Sequence, residues 1–137
     1  MKIDAGPWRE LGAVRLGPDG KLMIPDPGPG PGIYRFRLTR GGAPSVYIGE
    51  SEDIRRRFGQ YRHPESSQRT NIRVHKWMFE RIEAGGTLEV AVVAQAVVRV
   101  REAHEPLDLG RRTSRLLVEE HLLDEARQNG ETAMNLS

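Results

Sequence analysis

Gly32-Ile33-Tyr34-Arg35-Phe36-Arg37-Leu38-Thr39-Arg40-Gly41-Gly42-Ala43-Pro44-Ser45-Val46-Tyr47-Ile48-Gly49 is the stretch whose reading decides the fold. From Ile33 to Arg40 it alternates as a strand does, with Tyr34, Phe36 and Leu38 on one face and Ile33, Arg35 and Arg37 on the other. Gly41-Gly42 can supply a two-residue primed turn. With that turn, Arg40 faces Ala43, Leu38 faces Ser45 and Phe36 faces Tyr47. Tyr34 and Tyr47 then share a face as diagonal neighbours, roughly 7–8 Å apart at the backbone. A slip of one residue would send them to opposite faces.

Downstream, Ser51 suits a helix N-cap, with Glu52 and Asp53 in the first turn. Ile54, Phe58 and Tyr61 then form a buried stripe. Arg57 falls about 60° from its centre, on the Tyr61 side, at the core boundary. Arg55 is farther round and Arg56 points outwards; both read as a solvated face or as phosphate contacts. After a polar loop from Arg62 to Arg69, a second helix is expected from about Thr70 to Glu83, stopped by Gly85-Gly86. Its apolar face is Ile72, Met78, Phe79 and Ile82, with His75 inside it, more simply a hydrogen-bonded core histidine than a catalytic one. Leu88 to Val100 alternates as one long strand, bent if need be, with one wet face. The loop that follows, Arg101 to Gly110, holds His104, Glu105 and Asp108 without metal-ligand spacing.

The last helix is expected from Thr113 or Ser114 to about Gln128, with Gly130 as its stop. Leu116, Leu117, Val118, Leu122, Leu123 and Ala126 sum to a direction within about 15° of Glu119 and more than about 100° from Glu120. A carboxylate in a buried face is costly unless it is paired or metal-bound. Arg115, four residues back, is the simplest partner.

Residues 1–31 read as an N-terminal extension. Val14, Leu16, Leu22 and Ile24 alternate around the turn Gly17-Pro18-Asp19-Gly20, giving a small β-hairpin that can add an edge strand. Pro25 to Gly32 is a stiff Pro/Gly-rich connector. A chain of 137 residues is otherwise one domain, residues 32–137. It has no cysteine, hence no disulfide and no thiolate zinc site. No apolar run is long enough for a membrane span, and no secretory signal opens the chain. A cytoplasmic protein is expected.

The basic residues are nearly all arginine, which grips phosphate through a planar fork. Arg55, Arg56, Arg57, Arg62, Arg69 and Arg73, with Lys76, gather on the two central helices as a candidate nucleic-acid face. A buried carboxylate, a half-buried arginine and two or three tyrosines fit one hard divalent cation, Mg²⁺ or Mn²⁺, that keeps most of its water. Phosphodiester hydrolysis needs such a set: charge neutralisation, an activated water and a stabilised leaving oxygen. A tyrosine acting as base would need a nearby cation to favour its phenolate.

Gly32-Ile33-Tyr34 and Tyr47-Ile48-Gly49, followed by the arginine-rich helix, resemble the two halves of the GIY-YIG nuclease signature. The resemblance runs from about Pro31 to Ser137. It implies a small α+β domain, with a central antiparallel sheet of about three strands flanked by helices. It implies an endonuclease acting on DNA with one Mg²⁺ or Mn²⁺, leaving 5′-phosphate and 3′-hydroxyl ends. By the same resemblance Tyr47 is general base or relay, and Tyr34 supports it. Arg57 meets the scissile phosphate, Tyr61 contacts the water or phosphate, and Glu119 is the metal ligand. Asn135 orients the site, with Asn129 as its competitor. Specificity is expected from short loops, a second copy of the chain or a partner protein. Glu50, where repair-type members often carry a basic residue, motivates an alternative: a catalytically impaired nucleic-acid-binding module.

Overall fold

The computed structural model describes residues Met1 to Leu136; Ser137, the last residue of the expected domain, lies outside the described residues. In chain order the elements are β1 (Lys2–Ala5), β2 (Arg9–Ala13), β3 (Arg15–Leu16), β4 (Leu22–Met23), β5 (Gly32–Arg40), β6 (Ser45–Ser51), α1 (Ile54–Arg62), α2 (Arg69–Glu83), β7 (Thr87–Val93), β8 (Ala96–Val100), β9 (Ala103–Pro106), α3 (Arg112–Gln128) and β10 (Thr132–Ala133). The fold is α+β. No helix among the described residues is long and apolar enough to cross a membrane.

The β5–β6 hairpin has the expected register, Leu38 opposite Ser45, Phe36 opposite Tyr47 and Tyr34 opposite Gly49, but pairing stops at Leu38–Ser45, so the expected Arg40–Ala43 pair is not made and residues 41–44 connect the strands. Gly41 and Gly42 both take positive φ, +90° and +153°, which is why glycine stands at each. β7 pairs antiparallel with the other edge of β5. This antiparallel core, β6-β5-β7, is widened at both edges into five strands, ordered β10-β6-β5-β7-β2. β2 comes from the N-terminal segment and runs antiparallel to β7. β10 runs parallel to β6 but pairs with it only at Ser45 and Val46.

The N-terminal segment also forms the expected hairpin, Arg15 opposite Met23 and Leu16 opposite Leu22. Its first strand, β1, joins β8 and β9 in a separate three-stranded sheet. The long alternating run 88–100 is therefore two strands in two sheets, broken at exposed Ala94 and Gln95. The loop expected after it carries β9, exposed along its whole length. An exposed strand shows no apolar alternation, so periodicity has nothing to detect there.

The five-stranded sheet separates two cores. On one face Tyr34, Phe36, Leu38 and Tyr47 pack against Ile54, Phe58 and Tyr61 of α1 and Val74, Trp77 and Met78 of α2. On the other, Ile33, Val46, Ile48 and Val93 pack against Val118, Leu122 and Ala126 of α3.

Three expectations about the helices are corrected. The cap of α1 is Asp53, not Ser51: the Asp53 side chain accepts from the Arg56 amide, while Ser51 ends β6 and its hydroxyl bridges the Asp53 backbone. Ile72 of α2 is exposed, and Val74 and Trp77 are buried beside Met78. Leu116 and Leu117 of α3 are 41% and 40% exposed, so its buried stripe is narrower: Arg115, Val118, Leu122, Ala126. A helix packed on a sheet buries one stripe, and the extra leucines fall outside it.

Candidate active site

Tyr34 stands in the middle of β5, opposite Gly49. A Cβ on Gly49 would come within 2.4 Å of the Tyr34 hydroxyl oxygen. The ring therefore crosses β6 where no side chain stands. Gly32 is as tightly held, since its Cβ would lie 2.4 Å from the Val93 carbonyl oxygen. Close approach thus demands both outer glycines of the opening stretch.

The three tyrosines of the chain form one cluster. Ring centroids lie 6.5 Å apart for Tyr34–Tyr47, 6.5 Å for Tyr47–Tyr61 and 5.9 Å for Tyr34–Tyr61. The Tyr34 and Tyr61 hydroxyls are hydrogen-bonded to each other. Tyr34 and Tyr61 are fully buried, while Tyr47 keeps slight exposure. Burial, reinforced by the neighbouring phenols, drives all three far above the ordinary tyrosine value, and Arg57 pulls each the other way. Burial works against the Arg57 charge, yet Tyr34 and Tyr61 outweigh it and raise the Arg57 pKa. The cluster is neutral phenols around one guanidinium.

Short β10 leaves the outer edge of β6 uncovered beyond Val46. A cavity of about 360 Å³ occupies this gap, lined among others by Tyr34, Tyr47, Glu50, Arg57, Glu119 and Asn135. So Glu119, on the helix of the opposite face, reaches round the open edge to the tyrosine side, close enough to act on Tyr47 electrostatically. It is half-buried, and burial, then Glu50 and Glu120, pushes its pKa from 4.5 up to about 7. Arg115 does not pair with it. Instead Arg115 Nε donates to Glu50 Oε2 at 2.6 Å, and its Nη1 donates to the carbonyls of Leu109 and Gly110 at 3.1 and 3.0 Å.

Of the two asparagines, Asn135 lines this cavity, whereas Asn129 caps α3 and lines a separate cavity of about 110 Å³ with Trp8 and Arg35. Tyr61 lies behind Tyr34 and Arg57 rather than on the cavity wall. His75 is tied to the backbone, its Nδ1 2.8 Å from the Tyr61 carbonyl oxygen. The candidate phosphate contacts divide. Arg56 lines a small hollow that shares Arg57 with the main cavity. Arg69 and Arg73, both exposed or nearly so, flank Thr70, which lines the main cavity. Arg55 and Arg62 instead line a hollow around Asp26, to which Arg55 is bonded at 3.0 and 3.2 Å. Lys76 faces Glu80 at 3.9 Å.

Sequence reasoning missed Leu116, Leu123 and Arg127 as cavity wall. With Glu119 they follow 3-4-4 spacing along α3, the stripe beside the buried one, and that spacing was the available signal.

No protein-family profile matches the chain. No curated protein matches it either. A solved structure does: a mutant of bacteriophage T4 EndoII matches over 88% of this chain and 88% of its own, with a TM-score of 0.61 and 12% sequence identity. At that identity the likeness is one of fold: this chain folds as phage EndoII does.

Proposed function

We propose that the chain is a GIY-YIG-type, metal-dependent endonuclease that hydrolyses DNA phosphodiester bonds. One observation carries this reading: Tyr47 of β6, Arg57 of α1 and Glu119 of α3 meet at one cavity although α1 and α3 lie on opposite faces of the sheet. The fold shared with phage EndoII supports it.

The residues present fit a divalent cation. Glu119 is a half-buried carboxylate with no ion pair among the described residues, and burial, then Glu50 and Glu120, raise its pKa. Among the described residues no three His, Cys, Asp or Glu converge, so the donor set suits a hard ion, Mg²⁺ or Mn²⁺, held by one carboxylate and water. When bound, the ion would neutralise phosphate charge and favour departure of the leaving oxygen.

The chain's own residues do the rest. Arg57 opposes the negative charge that grows on the phosphate. Tyr47, the most accessible phenol, orients the attacking water and receives its proton. Its high pKa makes it a relay and not a resting phenolate: it passes its hydroxyl proton to bulk water as it takes the proton of the attacking water. Tyr34 and Tyr61 hold Tyr47 and Arg57 in place. Attack forms a phosphorus–oxygen bond to water and breaks the bond to O3′, leaving 5′-phosphate and 3′-hydroxyl ends, the latter protonated from solvent. Asn135 borders the same space and orients the reacting groups. Arg56, Arg69 and Arg73 hold flanking phosphates. Recognition of a particular DNA falls to the 62–69 loop, the N-terminal hairpin, a second copy of the chain or a partner protein.

Glu50 motivated the binding-only alternative, and its charge is met by Arg115. A plasmid-nicking assay with Mg²⁺ or EDTA decides between the two. Wild type should cut only with the metal, and Glu119→Ala and Arg57→Ala should each lose about 10²–10³-fold in kcat. Tight DNA binding with no metal-dependent cutting by wild type would leave only the binding module.

A further inference from the structure

Resting on that reading of Glu119, we infer that Arg115 and Glu50 are a positioning pair that sets helix α3, and with it the Glu119 carboxylate, against the end of β6.

In the first half of α3 only Val118 is buried besides Arg115. Leu116 and Leu117 are largely exposed, and the helix has no side-chain N-cap bond. Arg115 takes the first place in the buried stripe, four residues before Glu119, and is 5% exposed. Its three bonds run two ways: back to the Leu109 and Gly110 carbonyls that lead into the helix, and across to Glu50. Glu50 directly follows Gly49, so the pair joins the strand that carries Tyr47 to the helix that carries Glu119.

Apolar contacts alone fix such a helix poorly along its axis. Val118, Leu122 and Ala126 meet Val46 and Ile48 through apolar contacts, which have no preferred direction. A guanidinium bonded in two directions does not tolerate a slide, because its bonds need aligned partners. The cost is a buried ion pair, whose net worth to stability is small when both partners are present. Retaining it makes sense as geometry. It also accounts for the acidic residue after the second glycine: Glu50 is there to be gripped, not to meet the phosphate.

Mn²⁺ binding, followed by electron paramagnetic resonance on the full chain without DNA, reads position independently of cutting. Arg115→Met and Glu50→Ala should each weaken Mn²⁺ binding about tenfold and lower kcat about tenfold, with KM for DNA within about twofold of wild type. Glu50→Gln keeps an acceptor for Arg115 Nε and should retain most of the affinity. Thermal melts run alongside. If Arg115→Met and Glu50→Ala melt lower but bind Mn²⁺ and turn over as wild type does at 25 °C, the pair only stabilises and the inference is overturned. Loss by Glu50→Gln as deep as by Glu50→Ala would also overturn it, since charge and not position would then matter. Should Arg115→Met fail to fold, the two Glu50 variants still decide. Glu119→Gln separates the levels. If it binds Mn²⁺ like wild type, or if wild type binds none, the reading of Glu119 as ligand fails and takes this inference with it. If Glu119→Gln loses the ion while Arg115→Met and Glu50→Ala do not, only the positioning fails.

Discussion

A glycine, three phenols and one carboxylate set the chemistry of the cavity. Gly49 has no room for a methyl group, because Tyr34 occupies the space above it. Gly49→Ala should therefore cost about 2 kcal/mol, read in urea melts, and should lower cutting further by moving Tyr34. Gly59 is the control. It lies inside α1 with only the Arg62 guanidinium near, at 3.7 Å, so Gly59→Ala should stabilise by about 0.5–1 kcal/mol. Because all three tyrosines sit in the cluster, tyrosinate absorbance reports on the site alone. Their folded pKa values are raised, so the stability they contribute is full below the unfolded value near 10 and is lost as pH rises above it. A spectrophotometric titration should show no tyrosinate at pH 10 and a steep rise coinciding with unfolding. Ordinary titration near pH 10 in the folded chain would refute the burial. What makes these phenols unusual was only half legible in the sequence. Alternation put Tyr34 and Tyr47 on one face, but depth depends on α1 and α2 closing over them, which no local pattern encodes.

At the scale of elements, α3 brings Glu119 to the cavity, and Glu50 of β6 and Glu120 of its own helix face it with like charge. Raised to about 7, Glu119 holds a proton in the metal-free folded state that it lacks when unfolded between its ordinary 4.5 and 7. Its contribution to stability is thus present below 4.5 and is lost as pH climbs through about 7. The loss is on the order of 1–2 kcal/mol once partial exposure is discounted. Glu119→Gln should remove that slope in metal-free melts, and Mg²⁺ should flatten it in wild type. Half-saturating Mg²⁺ should rise as pH falls below about 7, by up to about tenfold per unit. The position of Glu119 could be read from the sequence for a partly wrong reason. The vector sum that singled it out included Leu116 and Leu117, which are exposed. Glu119 lies beside the buried stripe, and this is what leaves its carboxylate facing a cavity instead of a core. The partner of Arg115 could not be read at all, because Glu50 is 65 residues away and adjacent only in the folded chain. α1 shows the opposite case: its phase followed from Ile54, Phe58 and Tyr61, and only its cap was displaced.

For the molecule as a whole, the five-stranded sheet acts as a wall with a gap at one edge. Hairpin register and helix order were local and could be read ahead. The widening of the sheet by β2 and β10, and the β1-β8-β9 sheet, depend on pairings between distant segments. On the proposed function, the gap is where DNA approaches, and it ranks the basic residues. Arg56 lies next to Arg57, and Arg73 lies one helical turn beyond Thr70 on the cavity wall. Arg55 is held by Asp26, whose own pKa is lowered chiefly by that bond. Binding should therefore draw on some arginines and spare others. With Glu119→Ala as a non-cutting background, the logarithm of DNA affinity should fall linearly with the logarithm of salt concentration. Arg56→Gln should reduce that slope by about one, alike on unrelated duplex sequences, because a phosphate contact carries no sequence information. Arg55→Gln should change the slope by less, since that guanidinium already faces the Asp26 carboxylate. Equal effects at Arg55 and Arg56 would mean that DNA lies across the whole basic surface of α1 and not along the edge opened by short β10.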